Sequence, residues 1–378
     1  MVNVFLYGTL RHPGLLALVA GREVEALAPE PAELAGYRVS RAAGEDFPLI
    51  EAAPGGRTDG LLLRNLSGTV LERLDFYELS FGYELRDVTV AVGDTEVAAR
   101  VYFPRPGLWQ ADGPFSLEDW VRAHWPLTRH AASELMSYFG RLSDVEAAAR
   151  FRMIRARAAA ALMAEREETP CDVRSGLGLG EVEVETETSS HIGYFLLKTV
   201  GFRHTQFDGE MSARLEREVF VAADAATVLP YDPVRDRVLL VEQFRMGPFG
   251  RGDRHPWQLE PIAGRIDGGE DAETCCYREA EEETGLRLKG LERIARYYST
   301  PGYSSEVLHA FVGFADLPDE AARLGGAEDE HEDIRSHILD FAAAMRLIET
   351  GEANNGPLIV SLLWLARERD RLRAAAGA

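Results

Sequence analysis

The chain has 378 residues, of which 46% are hydrophobic and 27% are charged, so it is long enough for two folded domains of ordinary composition. Its 62 acidic and 41 basic side chains give a formal net charge of -21, a field that repels phosphate backbones and anionic lipids. Nucleic acids and membrane surfaces are therefore not expected as partners. A small phosphate-bearing substrate would need cations at its site.

Two further features of the sequence concern the cellular compartment of the protein. The chain contains only 3 cysteines, which excludes a disulfide framework. The segment 1–10 lacks a basic leader, and no stretch reaches the roughly 18 apolar residues that a membrane span requires. We therefore expect a cytoplasmic protein.

The first part of the chain consists of short β-like runs separated by Gly, Pro and Asp, at 2–7, 60–63, 88–92 and 97–102. This pattern predicts a mostly β domain over 1–115. The segment 117–168 is rich in Ala, Leu, Arg and Glu and predicts helix, interrupted near Pro126. With the glycine-rich stretch 175–180, it predicts a helical connector and hinge over 116–180.

The remainder, 181–378, mixes strands and helices irregularly. Helices are predicted at 271–284 and 357–374, and strands at 181–187, 194–200, 218–223, 226–230 and 237–243. This order favours a mixed α/β sandwich over a doubly wound sheet.

The segment 264–286 carries the strongest chemical signal. It places Glu279, Glu282 and Glu283 at i, i+3 and i+4, on one face of the predicted helix. Carboxylates at such short distances raise each other's pKa unless a cation offsets their repulsion. A hard divalent cation with oxygen ligands suits them. A solvated acidic helix face is the alternative for any run of glutamates. It does not account for the fixed spacing of Gly264, Glu270 and Arg278.

This segment resembles the Nudix box, G-x5-E-x7-R-E-U-x-E-E-x-G-U, with Ala280 at the apolar position U. Flanking stretches at 239–245, 257–264, 299–306 and 328–335 resemble bacterial ADP-ribose pyrophosphatases. The resemblance implies a Nudix α/β/α sandwich over 181–378. It also implies Mg²⁺-dependent hydrolysis of ADP-ribose to AMP and ribose 5-phosphate, by a homodimer with an exchanged N-terminal sheet.

The same resemblance assigns roles to single residues. Mg²⁺, with Mn²⁺ as the alternative ion, would be held by Ala263 through its carbonyl and by Glu279, Glu282 and Glu283. The base that activates water would be Glu330, with Glu332 second. Arg245, Glu260 and Glu306 would contact substrate. Glu330, Glu332 and Glu306 could instead be solvated loop acids, and Arg245 a strand-edge arginine.

The N-terminal part carries a second resemblance, to the γ-glutamylcyclotransferase-like (AIG2-like) family, over roughly 1–105. It rests on the stretches 5–11, 74–78 and 83–86. The family implies a β-barrel in which Tyr7, Gly8, Thr9 and Leu10 bind the substrate carboxylate through backbone N–H groups, and Glu78 is the acid/base. Leu79 stands where the family commonly has Gly, and Glu78 could equally be a surface helix residue. Trp109, Trp120 and Trp125 are expected to pack as core or interface.

The pairing of the two domains also resembles proteobacterial proteins named for tellurite resistance. Two alternatives to an ADP-ribose pyrophosphatase stay open at this point. The first is a Nudix hydrolase of another nucleoside-diphosphate sugar or a dinucleotide. The second is a sensor that binds ADP-ribose without hydrolysing it, although the complete set Arg278, Glu279, Glu282 and Glu283 argues against a role without catalysis.

Overall fold

The structure is a computed structural model that describes residues 2–322, 324–326 and 332–378. Its contacts divide the chain into two compact units, Met1–Glu167 (unit 1) and Glu168–Ala378 (unit 2). The helices over 117–166 fall within unit 1. The three-part division of the chain expected from composition stays a prediction.

Unit 1 is built on a closed β-barrel. Its sheet runs β3-β1-β5-β4-β2, with β2 pairing β3 to close the ring and β6 added at β2. Phe5, Leu62, Leu63 and Val101 are fully buried in its core. The strands are β1 (Val2–Leu6), β2 (Glu30–Ala42), β3 (Pro48–Leu66), β4 (Tyr83–Val92), β5 (Thr95–Pro104) and β6 (Ala111–Pro114).

Helices cover this barrel with buried leucines, among them Leu15, Leu74 and Leu135. In chain order they are α1 (Pro13–Ala20), α2 (Val24–Leu27), α3 (Gly68–Leu79), α4 (Leu117–Ala123), α5 (Trp125–Met136), α6 (Asp144–Ala148) and α7 (Phe151–Arg166). The predicted interruption near Pro126 is observed between α4 and α5, and helix also stops between α5 and α6. Gly140 there has a φ of 76°, and the Ser143–Glu146 capping box starts α6 afresh.

Unit 2 contains a mixed sheet in the order β14-β15-β10-β11-β17-β16, with β12 on β11 and β13 on β10. A separate three-stranded sheet runs β7-β8-β9. The strands are β7 (Val182–Ile192), β8 (Leu196–His204), β9 (Leu215–Val221), β10 (Ala225–Asp232), β11 (Arg237–Phe244), β12 (Trp257–Glu260), β13 (Ile262–Arg265), β14 (Gly290–Tyr298), β15 (Val307–Phe314), β16 (Leu324–Gly325) and β17 (Ile334–Asp340).

The helices of unit 2 lie on both faces of the mixed sheet. They are α8 (Met246–Arg251), α9 (Ala272–Thr284), α10 (Phe341–Thr350) and α11 (Gly356–Ala375). Leu358, Leu362 and Leu365 of α11 pack on Leu229 and Tyr231 of β10. Helix α9 packs on β10 and β13 and buries Cys276 and Ala280. The expected α/β/α sandwich is confirmed.

None of the helices in the described ranges is long and apolar enough to cross a membrane.

Candidate functional site

Helix α9 carries the acidic residues of the Nudix box, and its sequence fixes both of its ends. The Asp271 carboxylate accepts from the Thr274 N–H at 2.7 Å, which caps the start of the helix. Gly285 ends it in the left-handed conformation with a φ of 59°. The boundaries therefore follow from local chemistry, as the sequence predicts.

Glu279 lies directly over the backbone of β13. A Cβ built on Gly264 would fall 1.8 Å from Oε1 of Glu279. Only glycine leaves this space, so the first residue of the box allows the carboxylate to lie beside the strand that ends in Ala263, Gly264 and Arg265.

Arg278 is the hub of the acidic cluster. Its Nε and Nη2 donate to the two Glu270 oxygens at 2.9 and 3.0 Å. Its Nη1 donates to Glu279 at 2.6 Å and to Glu282, four residues further along the helix, at 2.9 Å. The pairing with Glu270 was not expected. It ties the loop before α9 to the helix and explains why the box fixes a glutamate at that distance from the arginine.

Glu283 is the buried acid of the cluster, with a residue exposure of 2%. Burial, with the charges of Glu279 and Glu332 beside it, raises the pKa of Glu283 to about 9. Among the described residues, none forms a hydrogen bond with its Oε2. A buried carboxylate oxygen without a partner is costly, so this atom is placed for a group that the protein itself does not supply.

Strand β16 lies against the carbonyl end of α9 at the level of Glu283. A Cβ on Gly325 would fall 2.0 Å from the Glu283 carbonyl oxygen, and Gly326 has a φ of 111°. Glu332 follows close by, since a Cβ on Gly326 would meet its backbone oxygen at 2.8 Å. Glu330 lies outside the described residues.

Arg245 and Glu260 form an ion pair where β11 and β12 run side by side. The Nε of Arg245 donates to Glu260 at 2.8 Å, and its Nη2 lies 2.7 Å from the same oxygen. The negative charges of Glu260, Glu283 and Glu332 hold the pKa of Arg245 above its usual value, although burial by itself lowers it. Arg245 therefore belongs to the same electrostatic cluster as α9. Glu306 instead accepts from the Ser299 hydroxyl at 2.7 Å.

These residues fit a hard divalent cation. Glu279 and Glu283 offer carboxylate oxygens, one of them unpartnered, and the Ala263 backbone lies alongside. Within the described ranges, no three or more His, Cys, Asp or Glu side chains converge in a ready-made cage.

Unit 1 contains a second candidate site, a cavity of about 440 Å³. Tyr7, Gly8, Thr9 and Leu10 line it together with Glu78, so the structure brings these sequence-predicted residues together. Desolvation raises the pKa of Glu78 to about 8. Glu78 is therefore neither a solvated surface acid nor part of an ion pair, and at neutral pH it is mostly protonated.

Four tyrosines line this cavity together with Glu78. They are Tyr7, Tyr77, Tyr83 and Tyr102, and the charge of Glu78 contributes to the raised pKa of each of their hydroxyls. The Tyr83 hydroxyl donates to the carbonyl of Pro48 at 2.7 Å. Leu79, which departs from the family pattern, is the last residue of α3 and leaves Glu78 facing the cavity.

Sequence reasoning missed several residues of this cavity. Trp109 and Trp120, expected to pack as core or interface, line it, and so do Phe151 and Arg155 of α7. The Nη1 of Arg155 donates to Asp46 at 2.6 Å, across 109 residues of chain. No local pattern reveals a contact between residues that far apart.

Comparisons with known proteins find a family match in each part of the chain. The NUDIX domain model matches residues 221–362, and the model for gamma-glutamyl cyclotransferase, AIG2-like, matches residues 4–122.

Among curated proteins, the chain is 38% identical to the ADP-ribose pyrophosphatase of Escherichia coli (strain K12) over 181 residues, 48% of this chain and 86% of that protein. It is 37% identical to the ADP-ribose pyrophosphatase of Haemophilus influenzae over 175 residues, 46% of this chain and 80% of that protein. It is 34% identical to a GDP-mannose pyrophosphatase of Escherichia coli over 172 residues, 46% of this chain and 88% of that protein. With the box on α9 and this coverage, the chain belongs to the Nudix hydrolases and is a Nudix pyrophosphohydrolase whose N-terminal unit matches the γ-glutamylcyclotransferase-like family.

Proposed function

We propose that unit 2 hydrolyses the pyrophosphate bond of ADP-ribose to AMP and ribose 5-phosphate with Mg²⁺ bound at α9. The observation that carries this proposal is the pair Glu279 and Glu283, one turn apart, with a buried and unpartnered oxygen on Glu283. The similarity to two ADP-ribose pyrophosphatases supports the choice of substrate.

In this proposal the metal is held by Glu279, Glu283 and the carbonyl of Ala263. Mg²⁺ supplies Lewis-acid stabilisation of the phosphates and a lower pKa for bound water, and Mn²⁺ is the alternative ion. Glu282 is a weaker candidate ligand because its side chain is 45% exposed, against 13% for Glu279.

Other residues of the chain orient the substrate and the water. Arg245 contacts a phosphate or the terminal ribose, and Glu260 aims its guanidinium through their ion pair. Glu330 is the first choice as the base, and Glu332, which lies close enough to raise the pKa of Glu283, is the second. Glu306 is a further candidate substrate contact.

The test is to incubate the whole protein with ADP-ribose and millimolar Mg²⁺ and to follow AMP by chromatography, with EDTA as control. GDP-mannose and a dinucleotide are run in parallel because one relative is a GDP-mannose pyrophosphatase. AMP release that EDTA abolishes is expected. Faster cleavage of another substrate would reassign the substrate, and binding of ADP-ribose without hydrolysis of any substrate would favour a sensor.

We also propose that unit 1 is a γ-glutamylcyclotransferase. The observation that carries this proposal is the position of Glu78 in a cavity lined by Tyr7, Gly8, Thr9 and Leu10, where its pKa is raised to about 8. Glu78 takes the proton from the substrate α-amine and returns it to the leaving amine, while the N–H groups of the loop hold the α-carboxylate. Release of 5-oxoproline from γ-glutamyl conjugates is the measurement, and its absence would contradict the proposal.

A homodimer is proposed as well. Tyr194, Phe195 and Phe220 of the β7-β8-β9 region are 62%, 54% and 42% exposed, and their rings contact one another. Such a cluster of exposed aromatic rings is typical of an interface. Light scattering of the whole protein is the measurement, and a monomer mass would contradict the proposal.

A further inference from the structure

One wall of the unit 1 cavity comes from outside the segment that matches the cyclotransferase family. That match covers residues 4–122. Helices α5 and α7 follow it, and they contribute Leu127, Thr128, Ala131, Ala132, Phe151 and Arg155 to the lining. The shape of the cavity therefore depends on a part of this chain that the family does not define.

This wall is fixed to the reacting end of the cavity. Phe151 packs edge-to-face on Phe81, with ring centroids 4.6 Å apart. Phe81 is three residues after Glu78 in the chain. The hydroxyl oxygen of Ser80 lies 3.2 Å from the Asp144 carbonyl oxygen at the start of α6. Contacts on both sides of α6 thus join the helical wall to the segment that carries Glu78.

Helices α5 and α7 are also held to each other by a buried ion pair. Both Nε and Nη2 of Arg157 donate to Glu134, and their side chains are 2% and 14% exposed. The Tyr138 hydroxyl donates to the same carboxylate at 2.6 Å. This network fixes the spacing of the two helices, so the wall is a built surface and not a loosely covering loop.

The wall is largely uncharged. Among the described residues that line the cavity, the charged types are Glu45, Asp46, Glu78 and Arg155. Arg155 and Asp46 pair with each other at 2.6 Å, and Glu78 belongs to the reacting end. Glu45 lies outside the helical wall, in the exposed loop between β2 and β3. What remains of the helical wall is alanine, leucine, threonine and the ring of Phe151. A charged group placed against it would lose water without gaining a free partner.

We propose that this wall is a binding subsite for the amine portion of the substrate, and that it selects γ-glutamyl conjugates of apolar or aromatic amines over conjugates whose amine portion is charged. The inference rests on the proposed cyclotransferase function of unit 1. The cavity volume of about 440 Å³ has room for both portions.

The reaction needs no co-reactant. The α-amine nitrogen of the γ-glutamyl group attacks the γ-carbonyl carbon, the new N–C bond closes 5-oxoproline, and the amide C–N bond breaks. The proton lost by the attacking nitrogen passes through Glu78 to the leaving amine. That amine departs from the surface formed by Phe151, Ala131 and Ala132.

The test compares three conjugates with the whole protein: γ-glutamylbenzylamide, γ-glutamylputrescine and γ-glutamylglutamate, which carry an aromatic, a cationic and an anionic amine portion. Release of 5-oxoproline gives kcat/KM for each. We expect the benzylamide to exceed both others by roughly tenfold or more, as burial of one aromatic side chain suggests.

Two variants assign that preference to the wall. Phe151→Ala is expected to lower kcat/KM for the benzylamide by roughly tenfold and to change the charged conjugates little. Phe139→Ala is the matched control, because Phe139 packs on Phe76 with ring centroids 5.7 Å apart and does not belong to the cavity lining. It should keep the preference.

Equal turnover of the three conjugates, or a preference for γ-glutamylputrescine, would overturn the subsite and leave the cyclotransferase function standing. If none of them released 5-oxoproline, the cyclotransferase function would fail. The subsite would then be decided by binding, read from the fluorescence of Trp109 and Trp120, which line the cavity. Binding of the benzylamide that Phe151→Ala weakens would support it, and no binding would overturn it.

Discussion

Each of the two units contains a glutamate that is removed from water, and the side chains around that glutamate differ between the units. Glu78 in unit 1 has a pKa of about 8 and lies among the hydroxyls of Tyr7, Tyr77 and Tyr83. Glu283 in unit 2 has a pKa of about 9 and lies beside the carboxylates of Glu279 and Glu332.

The difference shows that burial alone does not define the role of an acid. A desolvated carboxyl among neutral hydroxyls holds a proton that it can pass on, which suits acid–base chemistry. The same group beside other carboxylates becomes charged when a cation offsets their mutual repulsion, which suits a metal ion.

The largest expected effect is in Glu283→Gln. Loss of this carboxylate should lower ADP-ribose hydrolysis by about 10³-fold or more, because several kcal/mol of metal-dependent stabilisation are lost. Release of 5-oxoproline should not change. Glu281→Gln is the control, since that side chain is 66% exposed on the same helix. Retention of AMP release in Glu283→Gln would remove Glu283 from the metal site.

The reciprocal variant is Glu78→Gln. It should reduce 5-oxoproline release by about 10²- to 10⁴-fold, the usual contribution of a general acid–base, and leave AMP release intact. Measuring both activities on both variants tests whether the two sites are chemically independent. A variant that lost both activities would instead indicate a folding defect, which circular dichroism would show.

Gly325→Ala tests how α9 is positioned. Its Cβ would fall 2.0 Å from the Glu283 carbonyl oxygen, so β16 must shift away from the helix. A displacement of about 1 Å costs up to about 10²-fold in rate, and we expect AMP release to fall by about that factor. At Gly290 the nearest atom would lie 3.8 Å away, which makes Gly290→Ala the matched control. Equal activity of the two variants would contradict the positioning role.

The pH dependence of unit 1 should follow Glu78. Its pKa is raised to about 8, so the base form is scarce at neutral pH and becomes abundant as pH rises. Between pH 6 and pH 7, kcat/KM for 5-oxoproline release should increase about tenfold and then level off above pH 8. A profile already flat from pH 5 would mean that Glu78 is ionised throughout and that its desolvation is relieved in solution.

The smallest effect concerns the cap of α9. Asp271→Ala removes the acceptor of the Thr274 N–H and should lower the free energy of unfolding by about 1 kcal/mol. Chemical denaturation followed by circular dichroism measures it. AMP release at 25 °C should remain, because Gly285 and Arg278 still hold the helix. A large loss of activity would show that the acidic face depends on the cap.

Local chemistry explains what was predictable from the chain alone. The helix expected at 271–284 is observed as Ala272–Thr284, because a capping aspartate and a left-handed glycine bound it. The spacing of Glu279, Glu282 and Glu283 also predicted that they share one face of this helix. The short strand-like runs predicted a mostly β domain and the family resemblance implied a barrel. Strands β2 and β3 are longer than those runs, with 13 and 19 residues, because they pair with each other along most of their length.

The chain alone thus predicted the Nudix box and its helix, since these depend on residues within a few turns of one another. Only the packing of the folded chain buried Glu283 and brought Glu270 of the preceding loop to Arg278. It also decided that Arg155 meets Asp46 and that α5 and α7 complete the cavity around Glu78. Burial and ion pairing depend on which distant segments pack together, and that information is spread over the whole chain.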